Sequence, residues 1–206
     1  TQTLEAQTFV PGRLAREKDT EQTHICLGFP GVPSDSDELY ALSVLSNALG
    51  GGMSSRLFQR IREELGMAYS VYTYASSYRG LGSFNVYAGT TPDNAPTVLH
   101  ELQSQLSLFL RDGLTDKEFK SAKAQLRGGF LLGLESSSGR MQALGRGHLL
   151  LGRVRTQEET LARIEAVTPE NVMSLARRLL AQKPSAAIVG RDAQKLLTKI
   201  GGDLLG

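Results

Sequence analysis

The chain has 206 residues, with 23 Lys and Arg against 21 Asp and Glu and a net charge of +2. Its 40% hydrophobic and 21% charged residues are the balance of an ordinary globular domain long enough to bury a core unaided, and the near-neutral charge argues against a protein built chiefly to grip nucleic acid. A single cysteine, Cys26, leaves no internal disulfide framework and no multi-cysteine zinc site; no apolar stretch reaches the ~20 residues of a membrane span, and no charged start followed by an apolar run marks a signal peptide.

Residues 1–19 are polar and mixed, with Pro11 and Gly12 as breakers, and read as a linker or lead-in; residues 20–206 then form a single domain. Over residues 20–29, Thr23, Ile25, Leu27 and Phe29 recur with period two, which predicts a half-buried strand. Cys26, inside this apolar run, reads as a small core residue. Asp35 with Glu38 resembles a capping box opening a helix that carries Leu39, Leu42, Leu45 and Leu49, and Gly50-Gly51-Gly52 stops it. A second helix from Ser54 or Ser55 to Leu65 places Leu57, Ile61 and Leu65 on one face, with Gly66 suited to the left-handed position after its end. Residues 69–75 and 82–90 read as two strands of a hairpin.

The remainder is mostly helical. One helix covers residues 95–111, with Val98, Leu102, Leu106 and Phe109 on its apolar face. Thr115 and Glu118 have capping-box spacing and open a long helix toward Glu135, in which Gly128 and Gly129 each cost roughly 1 kcal/mol and predict a kink or a close approach. Further helices are expected near 141–151, from Thr156, and from Thr168-Pro169, where a cap residue precedes a proline at the first helical position. A last strand over 186–189 leads to a short terminal helix. Strands, then a run of helices, then a returning strand give an α+β fold with a largely antiparallel sheet and helices packed on one face.

Most chemistry-bearing patterns in the sequence fail on inspection. His100-Glu101 begins like H-E-x-x-H, but position 104 is Ser, and none of His24, His100 and His148 has a second His within five positions. The triple glycine invites a phosphate-loop reading, yet it follows a helix and lacks G-K-[ST]; a helix-to-helix turn capped by Ser54 or Ser55 explains it better. No G-x-S-x-G elbow is present, and Cys26 lacks a helix N-terminus or basic neighbour that would activate a thiol. The segment from Ser54 to Tyr74 is more informative. Arg56, Arg60 and Arg62 lie on a helix ending at Gly66, and the chain reverses before Tyr69. A guanidinium and a phenol facing one cleft can both donate to a polarised carbonyl or an oxyanion; the plainer reading is a surface arginine and a sheet tyrosine.

The run Gly50-Gly51-Gly52-Met53-Ser54-Ser55-Arg56-Leu57-Phe58, followed by Ile61-Arg62-Glu63-Glu64-Leu65-Gly66-Met67-Ala68-Tyr69-Ser70-Val71, resembles the second homologous half of the pitrilysin (insulinase, processing-peptidase) family of zinc peptidases. Phe84 to Thr90, Leu114 to Lys123, Leu134-Glu135-Ser136 and Val189-Gly190 continue the resemblance, which runs from about Glu21 to Gly190. It implies an α+β half with an antiparallel sheet. Because H-x-x-E-H occurs nowhere in the chain, it further implies the non-catalytic half: no cofactor is expected in this chain, and zinc is expected in a homologous partner half, fused upstream or separate. By the same resemblance Arg62 and Tyr69, seven positions apart, reach toward the partner's zinc site and bind the peptide substrate or its oxyanion. The alternative that the resemblance leaves open is a proteolytically inactive scaffold or core subunit of a larger complex.

Overall fold

The computed structural model describes residues 8–200, so residues 1–7 of the expected lead-in and 201–206 of the expected domain lie outside the described residues. The strands are β1 (Arg13–Glu17), β2 (Thr23–Pro30), β3 (Ala68–Ser77), β4 (Gly82–Thr90) and β5 (Ser185–Gly190). They form one sheet in the order β1-β5-β2-β4-β3, antiparallel throughout except for the β1–β5 pair. The helices are α1 (Leu39–Gly50), α2 (Ala95–Asp112), α3 (Asp116–Gly133), α4 (Ser137–Arg146), α5 (Gln157–Glu165), α6 (Pro169–Leu180) and α7 (Ala193–Thr198), with π-helical turns at Phe58–Glu64 and Gly147–Leu151. This is the α+β architecture expected from the order of elements.

One sheet face is the core. Thr23, Ile25, Leu27 and Phe29 of β2 lie beside Phe84, Val86 and Ala88 of β4 and Ile188 of β5, all of them fully buried. Helices α1, α2, α6 and α7 contact β3, β4, β2 and β5 respectively, and α3 and α5 flank α1. Leu42, Leu45 and Leu49 of α1 are completely buried; truncating one of them to Ala would cost about 2–5 kcal/mol. The capping boxes at Thr115–Glu118 and Thr168–Asn171 form as donor–acceptor pairs in both directions.

Four local expectations need correction. Arg13–Glu17, inside the expected lead-in, is a strand paired with β5 from Arg13↔Ala186 to Glu17↔Gly190. Only Ala15 turns toward the core, and the other four positions are exposed, so the hydrophobic pattern is too thin to announce the strand; its charges suit an edge position. Cys26 is not a core residue: with Ile25 and Leu27 inside, period two puts it on the opposite face, half-buried. Asp35 makes no capping box with Glu38; the Glu38 amide donates to Ser36 Oγ, and the Glu38 carboxylate pairs with Arg178 on α6. Gly128 and Gly129 sit in α3 where an added Cβ would meet nothing, so no close approach requires them.

Candidate functional site

The segment that follows α1 begins with a tight fit. A Cβ on Gly50 would lie 2.5 Å from the Thr73 backbone nitrogen, so only glycine lets α1 end against β3. Gly51 offers its carbonyl to Gln125 Nε2 at 2.7 Å, and the Ser55 hydroxyl donates to the Gly52 carbonyl at 2.5 Å instead of capping the next helix. The triple glycine is thus a packed turn between elements.

The next seven residues, Phe58–Glu64, are π-helical where an α-helix is expected. Ile61 anchors the turn with no exposure, and the Leu65 amide reaches back five residues to the Arg60 carbonyl. Gly66 (φ +63) then reverses the chain, as its position in the sequence predicts. Such wide turns are uncommon and are frequently found at functional sites. The three arginines of this segment have different fates. Arg56 donates two hydrogen bonds to the Glu118 carboxylate at 2.8 and 2.9 Å and one to the Gly113 carbonyl, while its guanidinium lies 4.9 Å from the centre of the Phe109 ring. Arg60 is paired with Glu64 and Glu101. Arg62 is exposed, its guanidinium resting over the Phe58 ring at 5.0 Å, and it makes no hydrogen bond or ion pair among the described residues.

Tyr69 lies on the far side of the reversal. In the β3–β4 register Ala68 pairs with Thr90 and Ser70 with Gly89, leaving Tyr69 as the extra residue of a bulge. The consequence follows from period two. Val71 and Thr73 are buried, so unbroken alternation would put Tyr69 inside; the bulge turns Ala68 inward instead and leaves Tyr69 58% exposed. Its hydroxyl has no partner among the described residues. Arg62 lines a cavity of about 260 Å³ with the triple glycine, Phe58, Ser70 and Tyr72. Tyr69 is not among its lining residues, and no hydrogen bond joins Tyr69 to Arg62.

The open face of the sheet continues from this reversal and carries a group that the sequence reading missed. Tyr72 lies tilted against Tyr87 with ring centres 4.8 Å apart and 6.0 Å from Tyr74, and His24 Nδ1 is 2.7 Å from the Tyr87 hydroxyl. Burial pushes the Tyr87 and Tyr74 phenols up from their ordinary value; it also pushes the Cys26 thiol up, against the hydrogen bond it shares with Tyr74. The signal for this face was present in the alternation of Tyr72 and Tyr74 with buried Val71 and Thr73. The histidines stand on three separate elements, β2, α2 and the second π-helical turn. No group of three or more His, Cys, Asp or Glu side chains able to hold a metal occurs among the described residues. No helix among the described residues is long and apolar enough to cross a membrane.

A family model described as the peptidase M16 inactive domain matches residues 1–126. An uncharacterized zinc protease of Bacillus subtilis is 42% identical over 186 residues, which are 90% of this chain and 46% of that protein. One of Streptomyces coelicolor is 43% identical over 183 residues, 89% of this chain and 40% of that protein. The chain therefore spans less than half the length of these curated relatives. Among solved structures, a peptidase M16 inactive domain from Pseudomonas fluorescens superposes with a TM-score of 0.82 at 23% identity, covering 93% of this chain and 46% of that one. A chain of complex III2 from Candida albicans gives 0.81 at 17% identity, covering 94% and 50%; at such identities the likeness is one of fold.

Proposed function

The chain belongs to the peptidase M16 family as an inactive domain, and on that premise we propose that it is the substrate-binding, zinc-free half of a zinc metalloendopeptidase that works with a homologous zinc-bearing half. The names of its relatives, zinc proteases about twice its length, support a second half carrying the metal. The observation that carries the reading for this chain is the pair of backbone irregularities around one reversal. A π-helical turn presents Arg62, and a bulge turns out Tyr69, each with its polar group uncommitted.

Zinc, when bound in the partner half, supplies an activated water and polarises the scissile carbonyl. The residues of this chain supply the opposite wall of the cleft. The Arg62 guanidinium carries five donors in a fixed fork and holds the peptide backbone by its carbonyl oxygens. The Tyr69 hydroxyl donates to the carbonyl oxygen as negative charge develops there, an interaction stronger in the transition state than in the bound substrate. The tilted cluster of Tyr72, Tyr74 and Tyr87 forms an aromatic floor on the same sheet.

The test is Tyr69→Phe in the complete two-half protein, which removes one hydroxyl and keeps the ring. kcat/KM should fall by roughly 10²–10³, the loss typical of one oxyanion donor, with zinc content and thermal midpoint unchanged. Turnover at the parent rate in both Tyr69→Phe and Arg62→Ala would return the two residues to a structural role.

A further inference from the structure

A second cavity lies away from the Arg62–Tyr69 reversal, on the helical side of the sheet. It measures about 810 Å³ and sits between α1, the end of β3, the C-terminal half of α3, α4, the Gly147–Leu151 π-helical turn and α5. That volume falls in the range of small-molecule sites, which are apolar clefts with a few convergent polar groups. Its walls are mostly apolar and include Leu42, Phe130, Leu144 and Leu150.

Its charged groups are of one sign. Arg140, Arg146 and Arg155 line the cavity and no Asp or Glu does. The carboxylate of Glu159, near Arg155, is already taken by Arg153 and Arg163. Arg155 is held at one end by a 3.5 Å contact from its Nη1 to the Tyr40 hydroxyl, while its Nε is buried with no hydrogen-bond partner among the described residues. Ser34, 7% exposed, also lines the cavity, and its Oγ is likewise buried without a partner. The π-helical wall is itself a backbone form that recurs at functional sites.

We propose that this cavity binds a carboxylate carried on an apolar chain, the carboxylate accepting from the Arg155 guanidinium and the chain lying along the leucine-lined walls. A carboxylate matches the guanidinium fork, and no acidic residue lines the cavity to occupy it. The site is independent of the peptidase reading above.

Isothermal titration of the full 206-residue chain with dodecanoate, with dodecan-1-ol as the uncharged counterpart, tests the proposal. An apolar hexapeptide with a free or an amidated C-terminus forms the second pair and tells whether the carboxylate belongs to a free acid or to a peptide end. Saturable one-to-one binding is expected for at least one carboxylate, about tenfold or more tighter than for its uncharged counterpart, the advantage a charged hydrogen bond gives. Each methylene removed from the acid should weaken binding about threefold to fourfold. Arg155→Met should abolish most of the charge advantage. Leu144→Glu, at a wall position 53% exposed and so tolerant of a polar side chain, should weaken carboxylate binding by about tenfold with the circular dichroism spectrum unchanged. Equal binding of both carboxylates and their uncharged counterparts, or undiminished binding by folded Leu144→Glu, would overturn the proposal.

Discussion

Arg56 and Arg62 stand six residues apart on one continuous segment, and their surroundings separate them completely. Arg56 is enclosed: its side chain is 16% exposed, its fork is filled by the Glu118 carboxylate and the Gly113 carbonyl, and its flat face covers Phe109. Glu118 at the same time closes the capping box of α3, so one ion pair joins the segment to the start of the next long helix. Arg62 has one ring beneath it and nothing on its donors among the described residues. The same residue type is a fastener in one place and an unspent donor in the other. What separates them is the backbone, since the π-helical turn begins between them at Phe58.

The comparison can be broken by swapping the consequences. Arg62→Ala in the complete two-half protein should lower kcat/KM by roughly 10²–10³ and leave the thermal midpoint where it was. Gly50→Ala should act only on stability. Its new Cβ meets the Thr73 backbone at 2.5 Å, overpacking that costs about 1–3 kcal/mol and should appear as a lowered urea midpoint with unchanged slope. Arg56→Ala removes charge-assisted hydrogen bonds and leaves Glu118 partly buried, a loss of about 2 kcal/mol that lowers the midpoint by about 4–8 °C in a chain of this size, with turnover per folded molecule retained.

Acid sharpens the same contrast. Burial works against the ionised Glu118 carboxylate, but the hydrogen bonds from Arg56 and Thr115 outweigh it and hold the group below its ordinary value. Its folded value is therefore below its unfolded value of about 4.3. The pair stabilises fully above that unfolded value, and the contribution is lost as pH falls through the depressed folded value. The stability gap between the parent and Arg56→Ala, measured by urea denaturation from pH 7 to pH 3, should close on acidification, and the gap for Arg62→Ala should stay near zero throughout. Gly128→Ala gives the smallest effect. Nothing within 4 Å meets the added Cβ, so the helix should gain about 0.5–1 kcal/mol, raising the midpoint by a few degrees.

Much of this was legible in the sequence because the local signals were strong. The alternation of Ile25, Leu27 and Phe29, the hairpin between β3 and β4, the Thr115–Glu118 box and the left-handed Gly66 all express backbone preferences within a few residues. The sequence reading missed features set at a distance or by small offsets. Strand β1 owes its existence to partners more than 170 residues away, not to its own pattern. The π-helical turn differs from an α-helix by one residue in its hydrogen bonding, which the spacing of Leu57 and Ile61 does not register. Cys26 was misplaced because apolar neighbours on both sides masked a strict period of two. Arg62 and Tyr69 were singled out by the resemblance, whereas the backbone devices that turn them outward are visible only in three dimensions.

The central claim is that this half contributes donors, not metal, to a shared reaction. The most direct measurement expresses the zinc-bearing half separately and adds this chain in trans, following peptide cleavage against its concentration. The zinc half alone should be nearly inert, and the parent chain should restore cleavage with saturation as the complex forms. A chain carrying Arg62→Ala with Tyr69→Phe should co-elute with the zinc half on size exclusion and restore little. Full activity of the zinc half by itself, or equal rescue by the doubly substituted chain, would contradict the account.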